Sequence, residues 1–260
     1  MRKNIKYTTR KIHRYLGLFL GIQFLLWTLG GLYFSWNDID DVHGDHLLND
    51  RTYLPANLNL VSPGLILEEI LKKEPVDSLL SIQLIEISGQ PVYQIRYFSG
   101  LHNQNHEGNS NIRCQLADAE TGKFINPLNE HEAIEIARKR IKGSPEIEKA
   151  EFLLNTSSHH EYRSKPLPAW AITFKDPIYT TVYVAAELGT FQSVRHNQWR
   201  IFDFLWMLHT MDYEGRDNFG NILLKIFSIM GLFTVISGFA LYFTSSPTIR
   251  LFKSKAKTAF

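Results

Sequence analysis

The chain has 260 residues, 28 basic against 26 acidic side chains, and a mean hydropathy of −0.16, values that are ordinary for a water-soluble protein. The average hides a segregation, because apolar residues are concentrated near both ends while 37–198 has mixed composition. Much of the positive charge lies in two short tails rather than on one basic face, which argues against a nucleic-acid-binding protein.

The first element is a basic tail at 1–14, followed by an uncharged apolar run at 16–36. The run has about 21 residues, enough to cross about 30 Å of hydrocarbon, so we predict a transmembrane helix at 15–36. A cleaved signal peptide is the weaker alternative, because the run is longer than a usual signal core and no A-x-A site follows it. Gly17 and Gly21 form a G-x-x-x-G that favours close helix packing, either within the chain or in a homodimer.

A linker at 37–60 leads into a domain that repeats itself at an offset of about 67 residues. The clearest match is 119–124 (AETGKF) with 186–191 (AELGTF), and it divides the domain into repeats at 61–126 and 127–195. Each repeat begins with a predicted helix, at 63–73 and 129–141. The predicted strands are 79–87, 92–98 and 112–116, then 150–154, 169–174 and 181–184. The fold class is therefore α+β, a helix plus three antiparallel strands, repeated twice.

The last elements are an aromatic helix at 196–218, a second transmembrane helix at 221–244 and a basic tail at 245–260. The aromatic helix has too few polar residues for a solvated surface, which predicts that it lies in the membrane interface. Basic residues precede the first span and follow the second, whereas acidic residues follow the first span. This asymmetry predicts cytoplasmic termini and a periplasmic central domain in a bacterial inner membrane.

Three motifs stand next to the spans: 13–17 (HRYLG), 43–46 (HGDH) and 204–212 (FLWMLHTMD). With two helix-plus-strand units between hydrophobic spans, the chain resembles PepSY-domain proteins with PepSY-associated transmembrane helices. The resemblance covers nearly the whole chain. Relatives with four spans include ferric-siderophore reductases that hold haem in the membrane, and soluble PepSY modules are associated with binding or inhibiting peptidases. This chain departs from the reductase pattern because it has two spans.

Four histidines near the spans are candidate haem ligands: His13, His43, His46 and His209. His13 precedes the first span, and the second span has no histidine, so a bis-histidine site there requires His13 from two chains. On a helix, His209 shares a face with Trp206, and Asp212 follows one turn later as a carboxylate that orients the imidazole. A lipid-headgroup contact for His13 and a structural hydrogen bond from His209 to Asp45 or Asp212 remain open alternatives.

Two further histidine clusters lie between predicted strands: His102 with His106, and His159 with His160. They are weak candidates for a metal site, since solvated polar loops explain them better. No hydrolase, kinase or dinucleotide-binding motif occurs, so no catalytic residue is assigned and the enzyme status stays open.

Two functions fit these observations. The first is a haem-linked redox component, with haem b as cofactor, in reduction or uptake of chelated iron; its partners are the lipid bilayer, a ferric chelate, and a second copy or another membrane redox subunit. Electrons then pass outward from a cytoplasmic or quinol donor. The second is a non-enzymatic, membrane-anchored module that binds a periplasmic ligand or protein, or regulates a peptidase.

Overall fold

The structure, a computed structural model, describes residues 2–99 and 112–246. The chain forms two compact units, Met1–Asp38 with Ile201–Phe260, called here the helical unit, and Ile39–Arg200, called the sheet unit. The helical unit contains two helices long and apolar enough to cross a membrane, and the sheet unit contains two antiparallel sheets. The predicted fold class is confirmed.

The first repeat is one helix on a four-stranded sheet. Its elements are α3 (Pro63–Lys73), β1 (Ser78–Ile87), β2 (Gln90–Phe98), β3 (Ile112–Asp118) and β4 (Phe124–Ile125), and the strands are in sequence order. The helix begins at Pro63, a residue that suits the first turn because its missing N–H has no intrahelical partner there. Ile66 and Ile70 of α3 pack on the face of β2 that carries Ile95. The repeat therefore has its own small core.

The second repeat has the same order of elements. It consists of α4 (Glu130–Arg140), β5 (Ile147–Leu153), β6 (Ala169–Phe174), β7 (Thr181–Ala185) and β8 (Thr190–Arg195). The start of α4 is a capping box, in which Asn129 accepts from the amide of Glu132 and the Glu132 carboxylate accepts from the amide of Asn129. Ala133 and Ala137 form its buried face.

Each sheet has a fourth strand that the sequence did not predict. β4 has only two residues, too few to show alternation, and β8 reads Thr-Phe-Gln-Ser-Val-Arg, in which only Phe191 and Val194 are apolar. The Gly122 and Gly189 turns, predicted to end the strand regions, instead lead into these fourth strands.

The two repeats share the largest core of the sheet unit. Ile87, Val92 and Leu116 of the first sheet pack in one cluster with residues of α4 and with Ile172 and Phe174 of the second sheet. β2 is consequently buried on both faces, and not on one face as its alternation predicted.

The helical unit is built on three helices: α1 (Arg2–Trp36), α5 (Asn197–Thr210) and α6 (Ile222–Ser245). The first four residues of α5 belong to the sheet unit. Gln23, the only strongly polar side chain in the apolar part of α1, donates its Nε2 to the carbonyl oxygen of Leu208 on α5 at 2.9 Å. A short helix, α2 (Ile39–His43), follows α1 in the chain and belongs to the sheet unit.

Candidate functional site

His13 lies on the side of α1 that faces α6. Its Nδ1 is 2.8 Å from Oγ of Ser237, and the Ser237 hydroxyl donates its own proton to the carbonyl oxygen of Thr234 at 2.8 Å. With the Ser237 hydroxyl donating to Thr234, the Ser237 oxygen accepts from His13, and the imidazole proton is then on Nδ1. Nε2 then carries the lone pair that a metal ion requires.

The backbone next to Ser237 allows the His13 ring to lie close to α6. A Cβ at Gly238 would lie 3.2 Å from Cε1 of His13, closer than nearly all ordinary Cβ contacts. The adjacent pair Ser237 and Gly238 thus supplies both a hydrogen-bond acceptor and the space for the ring. Ser237 and Gly238 can be recognised in the sequence as small residues of the second span, but no sequence pattern shows that they contact His13.

His209 lies on α5 within a group of aromatic side chains. Its ring centroid is 5.9 Å from those of Trp27 and Phe34 on α1, and it stacks on Trp206 at 6.4 Å with an interplanar angle of 10°. Its Nδ1 is buried and has no hydrogen-bond partner in the described ranges 2–99 and 112–246. His209 consequently packs like an aromatic residue and lacks the acceptor that normally orients a ligating histidine.

Asp212 does not orient His209, contrary to the sequence prediction. α5 ends at Thr210, and Met211 has a left-handed backbone with φ of 54°. The Asp212 carboxylate accepts instead from the backbone amides of Asn218 at 2.9 Å and Gly215 at 3.2 Å. These amides lower the pKa of Asp212, although partial burial opposes the shift. Asp212 therefore stabilises the turn between α5 and α6.

His13 and His209 lie at opposite ends of α1. His209 contacts α1 at Trp27 and Phe34, which are about 21 and 32 Å from His13 along the helix axis at 1.5 Å per residue. One haem cannot be held by both residues within one chain.

His43 and His46 belong to the sheet unit, and His46 lies next to a buried histidine, His196, which no sequence motif indicated as a site residue. Nδ1 of His46 is 3.3 Å from Oδ1 of Asp41, and its ring lies 5.9 Å from that of His196, which is 2% exposed. Burial lowers the pKa of His196, and the neighbouring His46 lowers it further. His43 is exposed at the end of α2.

Gly44 is required where it stands between these histidines. Its φ is +81°, and a Cβ there would lie 2.9 Å from Cγ1 of Val194 and 3.1 Å from Cδ2 of His196. The HGDH motif therefore has a packing role in the sheet unit, since the glycine allows the turn to pack directly against His196.

The loop between β5 and β6 is fastened to the second sheet by Glu161. Its carboxylate accepts from Nε and Nη2 of Arg200 at 2.7 and 3.0 Å, and from the hydroxyl of Tyr183 at 2.7 Å. Although burial raises it, the pKa of Glu161 is lowered overall by the hydrogen bonds from Arg200 and Tyr183. Next to it, Nδ1 of His160 accepts from the amide of Tyr162, which is fully buried. This loop is anchored by packing and ion pairing.

The predicted metal clusters gain no support from the described residues. No group of three or more histidine, cysteine, aspartate or glutamate side chains with metal-binding geometry occurs in 2–99 or 112–246. His159 and His160 lie within the anchored loop, and His102 and His106 lie outside the described residues. Metal binding at either pair stays a prediction.

Comparison with known proteins gives one family. A profile of the family described as the PepSY-associated TM region matches residues 10–259, which includes both membrane helices and both sheets. No curated protein and no solved structure matches the chain.

Proposed function

Because the chain belongs to the family of PepSY-associated transmembrane proteins, we propose that it is a haem-linked redox component of a bacterial inner membrane, acting in reduction or uptake of chelated iron. In this proposal both termini are cytoplasmic and the sheet unit is periplasmic, where it receives the iron chelate. The subfamily that the proposal implies is that of the iron-regulated and ferric-siderophore-reductase-like proteins.

The observation that carries the proposal is the environment of His13. A haem-ligating histidine normally donates the N–H of its second ring nitrogen to an acceptor. This hydrogen bond fixes the tautomer and the orientation of the ring. Nδ1 of His13 has such a partner in the Ser237 hydroxyl, which lies 2.8 Å away and is itself within hydrogen-bonding distance of the carbonyl oxygen of Thr234. These residues fit an axial ligand, and haem bound there would supply one-electron transfer chemistry.

The other candidates fit haem less well. Nδ1 of His209 has no acceptor among residues 2–99 and 112–246, and His46 lies in the sheet unit and not on a membrane helix. We therefore place His13 first among the four candidate ligands. Because α1 and α6 contain no other histidine, a second axial histidine has to come from another copy of the chain or from another membrane subunit.

The test is the absorption spectrum of the full chain, purified in detergent after expression with ample haem. We expect a Soret band that His13→Ala abolishes and His131→Ala leaves intact, since the His131 side chain is 81% exposed on α4. Absence of the band from the unmodified protein would contradict the proposal. A band that persists in His13→Ala but is lost in His209→Ala would move the site to α5.

Ser237→Ala separates a positioning role from simple packing. The change removes the acceptor of Nδ1 but keeps the small side chain, so we expect haem affinity to fall about 10-fold or more. Ser228→Ala is the matched control, because Ser228 lies on the same helix and is exposed. Equal haem affinities of the two variants would show that the His13–Ser237 hydrogen bond does not prepare the ligand.

A second candidate function, a non-enzymatic module that binds a periplasmic protein or regulates a peptidase, is favoured by one observation. β1 is a ten-residue edge strand, and its Leu79, Leu80 and Leu84 side chains are 40 to 45% exposed. An extended peptide can add to such an edge through backbone hydrogen bonds. A protein without a Soret band that binds an extended peptide, and loses it on Leu84→Lys, would favour this function.

A further inference from the structure

A cavity of about 350 Å³, called here the linker cavity, lies where the linker meets the second repeat. Its walls come from residues 50–52 of the linker, the end of β1, the last turns of α4 and the Gly189 turn, all within the sheet unit. The linker is fixed at this place, because Nδ2 of Asn49 donates to the carbonyl oxygens of Lys139 and Ile141 at 2.9 and 3.1 Å. The volume is within the usual range for small-molecule pockets, about 300 to 1,000 Å³.

Three cations line the linker cavity: Arg51 of the linker, and Lys139 and Arg140 in the last turn of α4. Nζ of Lys139 lies 3.6 Å from the Glu86 carboxylate. Arg51 and Arg140 form no ion pair with a carboxylate of residues 2–99 or 112–246. Two guanidinium groups at one cavity are therefore without a paired counter-charge in the described chain.

The carboxylate of Glu86 is already engaged by other donors. It accepts from the hydroxyl of Thr52 and from the backbone amide of Gly89, and it faces Lys139. The second carboxylate of the cavity, that of Asp50, is exposed. The cavity thus has three cations against two carboxylates, and this balance favours an anionic ligand.

Arg140 is half-buried and has N–H groups to spare. Its Nη1 donates to the carbonyl oxygen of Asn49, the one hydrogen bond that its side chain makes within residues 2–99 and 112–246. Burial lowers the pKa of Arg140, and repulsion by Arg51 lowers it further, whereas Asp45 and Asp50 oppose the shift. A guanidinium binds a carboxylate through two parallel hydrogen bonds, so a carboxylate is the natural partner for these N–H groups.

The linker cavity also offers an apolar surface and a hydroxyl donor. The ring centroid of Phe191 lies 5.3 Å from Cζ of Arg140, and Ile136 also lines the cavity. Oγ1 of Thr190 accepts from Nε2 of Gln192 at 2.8 Å, so its own proton can be donated to a ligand. A ligand with several carboxylates on a short carbon skeleton matches cations, apolar surface and hydroxyl together.

We propose that the linker cavity binds a small polycarboxylate such as citrate, with its carboxylates on Arg51 and Arg140 and its carbon skeleton against Phe191. The two arginines come from different elements, so they suit charges spread over a molecule better than the single compact charge of a phosphate. This site is independent of haem and of the redox proposal. A polycarboxylate reaches it either as the free acid anion or as the ligand of an iron(III) ion.

The test is isothermal titration calorimetry of the full chain, purified in a neutral detergent without added haem. We expect saturable binding of citrate, and little binding of acetate or inorganic phosphate at the same concentration and ionic strength. Phosphate binding as tight as that of citrate would overturn the polycarboxylate assignment, and no binding of either citrate or iron(III) citrate would overturn the site. If iron(III) citrate binds more tightly than citrate, the ligand is the chelate; the reverse order identifies the free anion.

The decisive variant is Arg51→Gln, which we expect to weaken citrate binding about 10-fold, because charge-assisted hydrogen bonds are lost. Arg138→Gln is the matched control, since Arg138 is exposed in the same turn of α4 but does not line the cavity. Arg140→Gln tests the second guanidinium, and Arg51→Gln keeps the proposal testable if loss of the bond to Asn49 destabilises that variant. Unchanged affinity in Arg51→Gln, or an equal loss in Arg138→Gln, would refute the site.

Discussion

The chemistry open to each imidazole of this protein depends on what its two nitrogen atoms contact. Nδ1 of His13 has a hydroxyl partner in Ser237, whereas the buried Nδ1 of His209 has no partner in the described chain. A buried nitrogen without a partner costs about 1 to 3 kcal/mol, and close contact with aromatic rings has to offset this cost. The two residues were equivalent candidates in the sequence and differ in the structure.

Glu161 gives a prediction about stability at the residue scale. Glu161→Gln keeps the size of the side chain but removes its charge, so the paired Arg200 loses its carboxylate. Because the Glu161 and Arg200 side chains are 20% and 33% exposed, we expect a loss of about 2 to 3 kcal/mol, less than for a fully buried pair. Chemical unfolding of the full chain in detergent measures it. Tyr183→Phe is the control and should cost about 1 kcal/mol, since it removes one hydrogen bond.

The same carboxylate should make stability depend on pH. The folded-state pKa of Glu161 is lowered, so its ionised form contributes stability above the ordinary glutamate pKa of about 4.3. This contribution is lost as the pH falls below that value and through the lower folded-state pKa. The unmodified protein should therefore lose more stability than Glu161→Gln between about pH 5 and pH 3. Parallel curves for the two proteins would contradict the prediction.

Residue types near the spans could be predicted from sequence, but their partners could not. His13 and the pair Ser237 and Gly238 are more than 200 positions apart, and no periodicity relates them. Asp212 was assigned to His209 on the assumption that the helix continues. The left-handed residue at Met211 ends it, and backbone strain of this kind at a non-glycine residue has no sequence signature.

At the scale of elements, the repeated glycine turns allow one change to be compared in two environments. Gly122 and Gly189 have φ of +74° and +67°, so alanine costs about 1 kcal/mol at either from the left-handed backbone. A Cβ at Gly122 would lie 3.6 Å from Cγ2 of Val61, an ordinary contact. At Gly189 it would overlap with Cδ1 of Ile87, in the core shared by the repeats.

We therefore expect Gly189→Ala to cost about 2 to 4 kcal/mol and Gly122→Ala about 1 kcal/mol, because overpacking adds to backbone strain only at Gly189. Chemical unfolding of the two variants gives the difference directly. Equal losses would mean that the two repeats do not share a tightly packed core.

Helices and central strands were predictable because their patterns are local. The capping box at Asn129 and Glu132 and the proline at Pro63 mark helix starts whatever the surroundings. The burial of Gln94 could not be predicted, since it follows from packing between repeats: its Nε2 donates to the carbonyl oxygen of Leu188 at 2.6 Å. Alternation along one strand shows which face is apolar, and says nothing about what covers the polar face.

At the scale of the whole molecule, the proposed orientation can be tested with single cysteines. Tyr53 is 87% exposed in the sheet unit and Tyr7 is 68% exposed near the start of α1. Burial raises the pKa of the native Cys114 to about 12, so this thiol reacts slowly and can remain in place. In spheroplasts, an impermeant maleimide should label Tyr53→Cys, and should label Tyr7→Cys only after lysis. The opposite pattern would reverse the topology.

The two glycines of the first span bear on assembly of the whole molecule. A Cβ at Gly17 or Gly21 would meet nothing within 4 Å, whereas Gly231 and Gly238 on α6 lie close to side chains of α1. Packing between the two spans therefore uses the glycines of α6, whereas a larger side chain at Gly17 or Gly21 would find open space. The proposed haem site needs a second histidine, and a homodimer with Gly17, one helical turn from His13, at the contact would supply it.

This dimer predicts a specific effect of substitution on crosslinking in membranes. Leu18 is 73% exposed beside Gly17, so Leu18→Cys should form a disulfide-linked dimer on mild oxidation. Adding Gly17→Leu should reduce that product about 10-fold, since the larger side chain keeps the two helices apart. Gly31→Leu is the matched control, because Gly31 also has open space but lies nearly four helical turns away. If both substitutions reduce crosslinking equally, or neither does, the helices do not meet at Gly17, and the second ligand for His13 has to come from another membrane subunit.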